Sequence, residues 1–281
     1  MPLTPLPPTD TRALFRPVSS ELVTLLRGLD ADDWQKSTIA GTWVVRDVVA
    51  HLADLTFRRL SFHRDAMQPP PPPRPIQSER DFVDFINWLN AEWVGTTRRF
   101  SPRVLTDLFD LASRDLAGWF EALPLDAPAL FGVSWAGEMT SEGWFDVGRE
   151  FTELWHHQQQ IRLAVGAPPL ADPRYLRAVI EIALRGLPHA FRDLQADAGA
   201  TLVLDVAGPS GGTWTLQREA KHWTLYAGEP ASATTRVHLS DDALWKLLHN
   251  ALDRAAAGAE MRIEGDSTLA TPLFVARSIV V

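Results

Sequence analysis

The sequence places two histidines and one glutamate where they could share a cation. Glu153 and His157 stand four residues apart, in a stretch whose apolar positions Trp144, Val147, Phe151, Leu154, Ile161 and Val165 recur at helical spacing. At about 100° and 1.5 Å per residue, the pair falls on one flank of that stripe with a rise of about 6 Å between its members. A carboxylate and an imidazole so placed can converge on one ion, which is why zinc motifs set ligands at i and i+4. Glu150 is roughly 10 Å along the axis from His157, too far to join, and His156 is expected to point away into solvent. A Glu-x-x-x-His pair by itself can equally form a surface ion pair. A third residue, His51, lies among Val44, Val48, Leu52 and Leu55 on the apolar face of an earlier helix. Alone it reads as a hydrogen-bonded core histidine. Taken together, three N/O ligands with water in a fourth place are the usual makeup of catalytic zinc.

The elements that must position these residues can be read from periodicity and punctuation. A first helix spans about Asp10 to Gly28, with Leu14, Val18, Leu22, Leu25 and Leu26 on one side and glycine as its stop. A second is expected from Thr42, as N-cap, to about Asp65, with Asp47 in its first turn at the positive end of the helix dipole. The run Pro69-Pro70-Pro71-Pro72-Pro73-Arg74-Pro75 is polyproline II or loop, because proline lacks the donor a helix needs, and it reads best as a stiff connector. Helices follow over Ser78 to about Arg99 and Pro102 to about Leu123. Ser141 caps a fifth that runs to Val165 before Gly166, and residues 172 to 194 form a sixth.

After Gly199 the texture changes to short β-branched and aromatic runs: Thr201 to Val206, Thr213 to Arg218, His222 to Ala227 and Thr235 to Leu239. These predict an antiparallel meander. One helix over Asp241 to about Ala257, a strand over Met261 to Glu264 and a last helix after Gly265-Asp266 complete the chain. The expected class is α+β: a helical domain over 1–168, then a smaller α+β domain of sheet and helices over 169–281.

Composition removes several alternatives. Of 281 residues, 46% are apolar and 22% charged, as in globular proteins. A net charge of -8 gives no electrostatic reason to bind nucleic acid or an anionic membrane. With no cysteine there is no disulfide, no thiolate ligand and no cysteine nucleophile, so any zinc must be held by histidine and carboxylate. No signal-like start and no long apolar run are present, so the expected location is the cytoplasm. The chain is expected as a monomer or homodimer. Most of its 11 tryptophans read as core, Trp43 among them.

Two segments resemble a known family. Asp33-Trp34 with Gly41-Thr42-Trp43-Val44-Val45-Arg46-Asp47-Val48-Val49-Ala50-His51-Leu52-Ala53-Asp54 is similar to the opening signature of the DinB-like superfamily, in its mycothiol-dependent maleylpyruvate isomerase branch. Arg149-Glu150-Phe151-Thr152-Glu153-Leu154-Trp155-His156-His157-Gln158-Gln159-Gln160-Ile161-Arg162 resembles the second metal segment of that branch. The part from Leu202 onward, including Leu239-Ser240-Asp241-Asp242 and Arg262-Ile263-Glu264-Gly265-Asp266, resembles the branch's sterol-carrier-like C-terminal domain. The resemblance implies a four-helix bundle holding a divalent metal through His51, Glu153 and His157, with Zn2+ the expected ion and Ni2+ one that a purified sample could carry. It also implies a small thiol of mycothiol or bacillithiol type as cosubstrate. Members of the branch often carry aspartate where Gln160 stands. For the arginine that the isomerase turns on its substrate, Arg218 and Arg262 are candidates, and both can equally be ordinary strand-surface charges.

Zinc with two imidazoles and one carboxylate stays Lewis acidic enough to deprotonate a bound water or thiol near neutral pH. Because the chain owns no cysteine, the sulfur must come from a small thiol. The expected function is therefore S-transfer to, or isomerisation of, a small electrophile, as in a thiol S-transferase or a maleylpyruvate isomerase. The alternatives are a non-catalytic binder of a lipid or small molecule, and a DinB-like scaffold that has lost its metal.

Overall fold

Leucine and valine at i, i+4 and i+8 explain the first long element of the computed structural model, which describes residues 3–279 apart from the side chain of residue 79. In α1 (Phe15–Arg27), Val18, Leu22 and Leu26 form a fully buried stripe, Arg27 closes the last turn, and Gly28 follows as C-cap. Helix α2 (Val45–Arg58) starts later than its expected Thr42 cap. The N-cap is Val44, whose backbone N–H donates to the Asp47 carboxylate at 3.3 Å, while residues 37 and 44 pair as an isolated bridge that holds Thr42 outside the helix. The α-helix also ends early. Residues Arg59–Arg64 continue as a π-helical segment, so the expected single helix to Asp65 is two kinds of winding. Ser78 caps α3 (Glu79–Thr97), and Ser101 caps α4 (Pro102–Ala122), whose Pro102 occupies the first turn where no backbone donor is missed. Helix α5 (Gly143–Val165) ends at Gly166, which takes a φ of +69°.

The described residues fall into two units. One consists of Thr11–Pro124 and Glu153–Leu170, the other of the residues up to Asp10, Leu125–Thr152 and those from Ala171 onward. In the first, α4 packs on both α1 and α2, and α3 lies on α2. Phe15, Leu22, Leu105, Phe109, Phe120 and Ile161 are fully buried there, each contributing roughly 1.5–3 kcal/mol relative to an exposed side chain.

The second unit is a six-stranded sheet with short helices: β1 (Thr4–Pro5), α6 (Pro173–Leu184), α7 (Leu187–Ala190), β2 (Thr201–Ala207), β3 (Gly212–Arg218), β4 (Trp223–Ala227), β5 (Thr235–Ser240), α8 (Asp241–Leu248), α9 (Arg254–Glu260) and β6 (Arg262–Gly265). Strand order is β1-β4-β3-β2-β5-β6. Opposed pairs Leu202–Leu216 and Leu204–Trp214 show how alternate residues send one apolar face inward, where α6 and α8 pack against each other.

Three expectations need correction here. The sheet is not a pure meander, because β5 runs parallel to β2 after residues 228–234 cross over; alternation within a strand carries no information about its neighbour's direction. The expected helix over Asp241 to Ala257 breaks into α8 and α9, with Asn250 at a φ of +58° between them. The last expected helix is a 3-10 segment, Ser267–Phe274, with Pro272 inside. The α+β class itself is what the structure has, and among the described residues no helix is long and apolar enough to cross a membrane.

Candidate metal centre

His51 from α2 and the pair Glu153 and His157 from α5 meet in the helical unit. One ligand atom from each lies within 4.8 Å of the other two. The helical repeat explains the pair: Nε2 of His157 is 3.2 Å from Oε2 of Glu153 one turn earlier. His51 arrives from the other helix with its ring centroid 4.8 Å from that of His157 and the planes nearly perpendicular, at 80°. The Trp43 ring centroid is 5.0 Å from that of His51.

Both imidazoles are buried, while Glu153 keeps 21% of its side-chain surface exposed. Burial pushes the proton affinity of His51 well below the ordinary histidine range, and the neighbouring His157 and Arg58 push the same way against Glu153 and an Asn90 hydrogen bond. Burial would raise the Glu153 carboxyl, yet the hydrogen bond from His157 and the facing His157, His51 and His156 outweigh it and hold the group at about 2. The donor set is thus an uncharged imidazole and an ionised carboxylate turned towards a second imidazole. Among the described residues, none hydrogen-bonds the buried His51 Nδ1. Such a set fits a divalent ion: two nitrogen donors and one oxygen, with a buried ring nitrogen that no described residue satisfies.

Around these three lies a supporting shell. The Asn90 oxygen accepts from an Arg58 guanidinium N–H at 2.9 Å, and Arg58 pairs with Asp54 at 2.7 Å. Burial raises the Asp54 carboxyl, with Arg58 acting against it. On α5, Gln160 bridges His157 and His156. Here the expectation for His156 fails. It is 3% exposed rather than solvated, because α5 is buried on every side from Leu154 to Arg162 and has no wet face for it to take. Glu150 is not among the three that converge, as its distance along the helix requires. Asn90 was missed in the sequence. Its signal was there: a polar residue four after Ile86 and three before Trp93 on an otherwise apolar helix face.

Residues 15–162, just over half of the chain, match the family described as mycothiol maleylpyruvate isomerase N-terminal domain. The chain belongs to that family. The three converging residues and the shell around them lie inside the matched span. Two solved structures are similar: the mycothiol-dependent maleylpyruvate isomerase, and a mutant of it with one histidine changed to alanine. Each matches with a TM-score of 0.52 at 16% identity, over 86% of this chain and 88% of that one. At that identity the likeness is one of fold. No curated protein matches the sequence.

The two candidate substrate arginines belong to the sheet unit. Arg262 is exposed and hydrogen-bonded to Glu264. Arg218 ends β3 opposite Trp223, donates its backbone N–H to Ala200 O at 2.8 Å, and has a buried guanidinium nitrogen with no hydrogen bond among the described residues.

Proposed function

We propose that this chain is a metal-dependent enzyme that uses a low-molecular-weight thiol, of the mycothiol or bacillithiol type, to transfer sulfur to or isomerise a small electrophilic substrate. The observation that carries the proposal is the approach of His51, Glu153 and His157 to within 4.8 Å of one another on two helices of a family member. Zn2+ held by these three residues would supply Lewis acidity at its remaining position, lowering the pKa of a thiol there. The chain's own contribution is binding and orientation. Glu153 offers a full negative charge, His51 an uncharged nitrogen, and Trp43 an apolar wall beside the His51 ring. The absence of cysteine means that the reactive sulfur is brought by the cosubstrate. The names of the similar structures favour maleylpyruvate as one electrophile to try. We further take residues 1–168 and 169–281 as the two domains, and a cytoplasmic monomer or homodimer as the working form.

The test combines elemental analysis with a thiol assay. Purified protein is expected to carry about one equivalent of zinc or another divalent ion, and His51→Ala to carry none. Thiol-dependent isomerisation of maleylpyruvate, in which the thiol is regenerated, and thiol consumption with a panel of other electrophiles are expected to stop on chelation and return with Zn2+. Stoichiometric metal in His51→Ala would remove the site, and thiol turnover indifferent to chelator would remove the metal from the reaction.

A further inference from the structure

Three consecutive glutamines on α5 are buried, and their amides do different work. Gln158 reaches the backbone of α1 at Val18 and Leu22. Gln159 ties down the end of the unit, donating to Leu170 O at 3.2 Å and accepting from Leu170 N–H at 3.0 Å. Gln160 alone faces imidazoles: Oε1 is 2.8 Å from His157 Nδ1, and Nε2 is 3.0 Å from His156 Nε2. An amide oxygen only accepts and an amide nitrogen only donates. With the amide so turned, His157 Nδ1 donates to Gln160, and Nε2, the atom 3.2 Å from Glu153 Oε2, is the nitrogen available to an ion.

We infer that Gln160 is the positioning residue that fixes the tautomer of His157, presenting Nε2 to the ion, with His156 anchoring the amide so that its oxygen, not its nitrogen, meets His157. The inference rests on the reading of His157 as a metal ligand. It goes beyond it by assigning the choice of nitrogen to one neutral side chain. Outer groups that orient ligating histidines typically change metal affinity by roughly 10–100-fold when removed. Gln160→Leu deletes the acceptor, Gln160→Glu keeps an acceptor for Nδ1–H, and Gln159→Ala is the control for a buried amide whose bonds run only to backbone.

The experiment measures Zn2+ affinity by competition with a chromophoric chelator. It also reads the His157 tautomer from long-range proton–nitrogen correlations of the metal-free protein at mildly alkaline pH. Expected are Nδ1–H in the wild type and in Gln160→Glu, loss of that preference in Gln160→Leu, and affinity lower by roughly 10–100-fold in Gln160→Leu alone. Gln159→Ala is expected to lower thermal stability without moving the tautomer. The inference is overturned if metal-free wild type shows Nε2–H, which is the amide turned over, or if folded Gln160→Leu binds Zn2+ as tightly as wild type. Should the wild type bind no ion, the metal reading fails, while the tautomer measurement still decides the role of Gln160.

Discussion

The interior of the helical unit and the inner face of the sheet are built from different materials. The sheet buries Leu202, Leu204, Val206, Trp214, Leu216, Val237 and Leu239 with little polar company on that face. The helical unit buries Asp47, His51, Asp54, Arg59, Asn90, His156, His157, Gln158, Gln159, Gln160 and Arg162. Burying a polar group costs about 1–3 kcal/mol unless it finds a partner, so a fold does not accumulate them without compensation. In the helical unit the compensation is visible in the Asp54–Arg58–Asn90 and His156–Gln160–His157 chains, and it surrounds the three residues that approach one another. The difference separates a region selected for cohesion from one in which packing has been traded for placed donors and acceptors.

Four measurements would break or sharpen that contrast. Trp214→Ala should have the largest effect, about 3–5 kcal/mol of lost stability by denaturant titration, because a fully buried ring under the Arg177 guanidinium disappears. Its zinc affinity should stay that of wild type; a parallel loss of metal would mean that the two regions are not separable. Next, Zn2+ at about a hundred times its Kd should stabilise the wild type by roughly 2.7 kcal/mol in thermal melts and leave His51→Ala unmoved. Equal stabilisation of both would place the bound ion elsewhere. A smaller loss, about 1 kcal/mol, is expected for Ser101→Ala, since Ser101 Oγ accepts from Val104 N–H at the start of α4. Smallest is Arg114→Ala, about 0.3–0.5 kcal/mol, whose exposed i,i+4 pair with Asp110 is 2.6 Å long. A loss above that of Ser101→Ala would show that charge networks, not caps and cores, hold the helical unit.

The same contrast governs what could be read in advance. Apolar periodicity located α1, α3 and α4, which have one dry face and one wet one, and β-branched and aromatic runs between turn residues located every strand of the second unit except β1, although β2 is buried on both faces. His51, Glu153 and His157 were legible for a related reason: a helical repeat turns sequence spacing into distance. His156 was misread since that reasoning needs a wet face, and α5 lacks one around it. Pairing direction escaped as well. The strands β2 and β5 look alike as strings, and only the crossover through residues 228–234 makes them parallel. The two-residue strand β1 sits in a proline-rich opening that local rules assign to loop. Asn90 and Gln160 could be seen as polar residues in apolar surroundings, but not to whom they bond, which depends on side chains from other helices or from a neighbouring turn.

The outermost strand has a consequence for how copies of this protein behave near one another. Strand β1 lies along β4, pairing Pro5 with Tyr226, and a proline there has no N–H to lend to a newcomer. At the opposite margin, β6 presents the charged side chains of Arg262 and Glu264. A sheet finished with an imino acid at one border and ionised groups at the other offers poor footing for strand-by-strand growth, which discourages fibre formation even when many chains are crowded together.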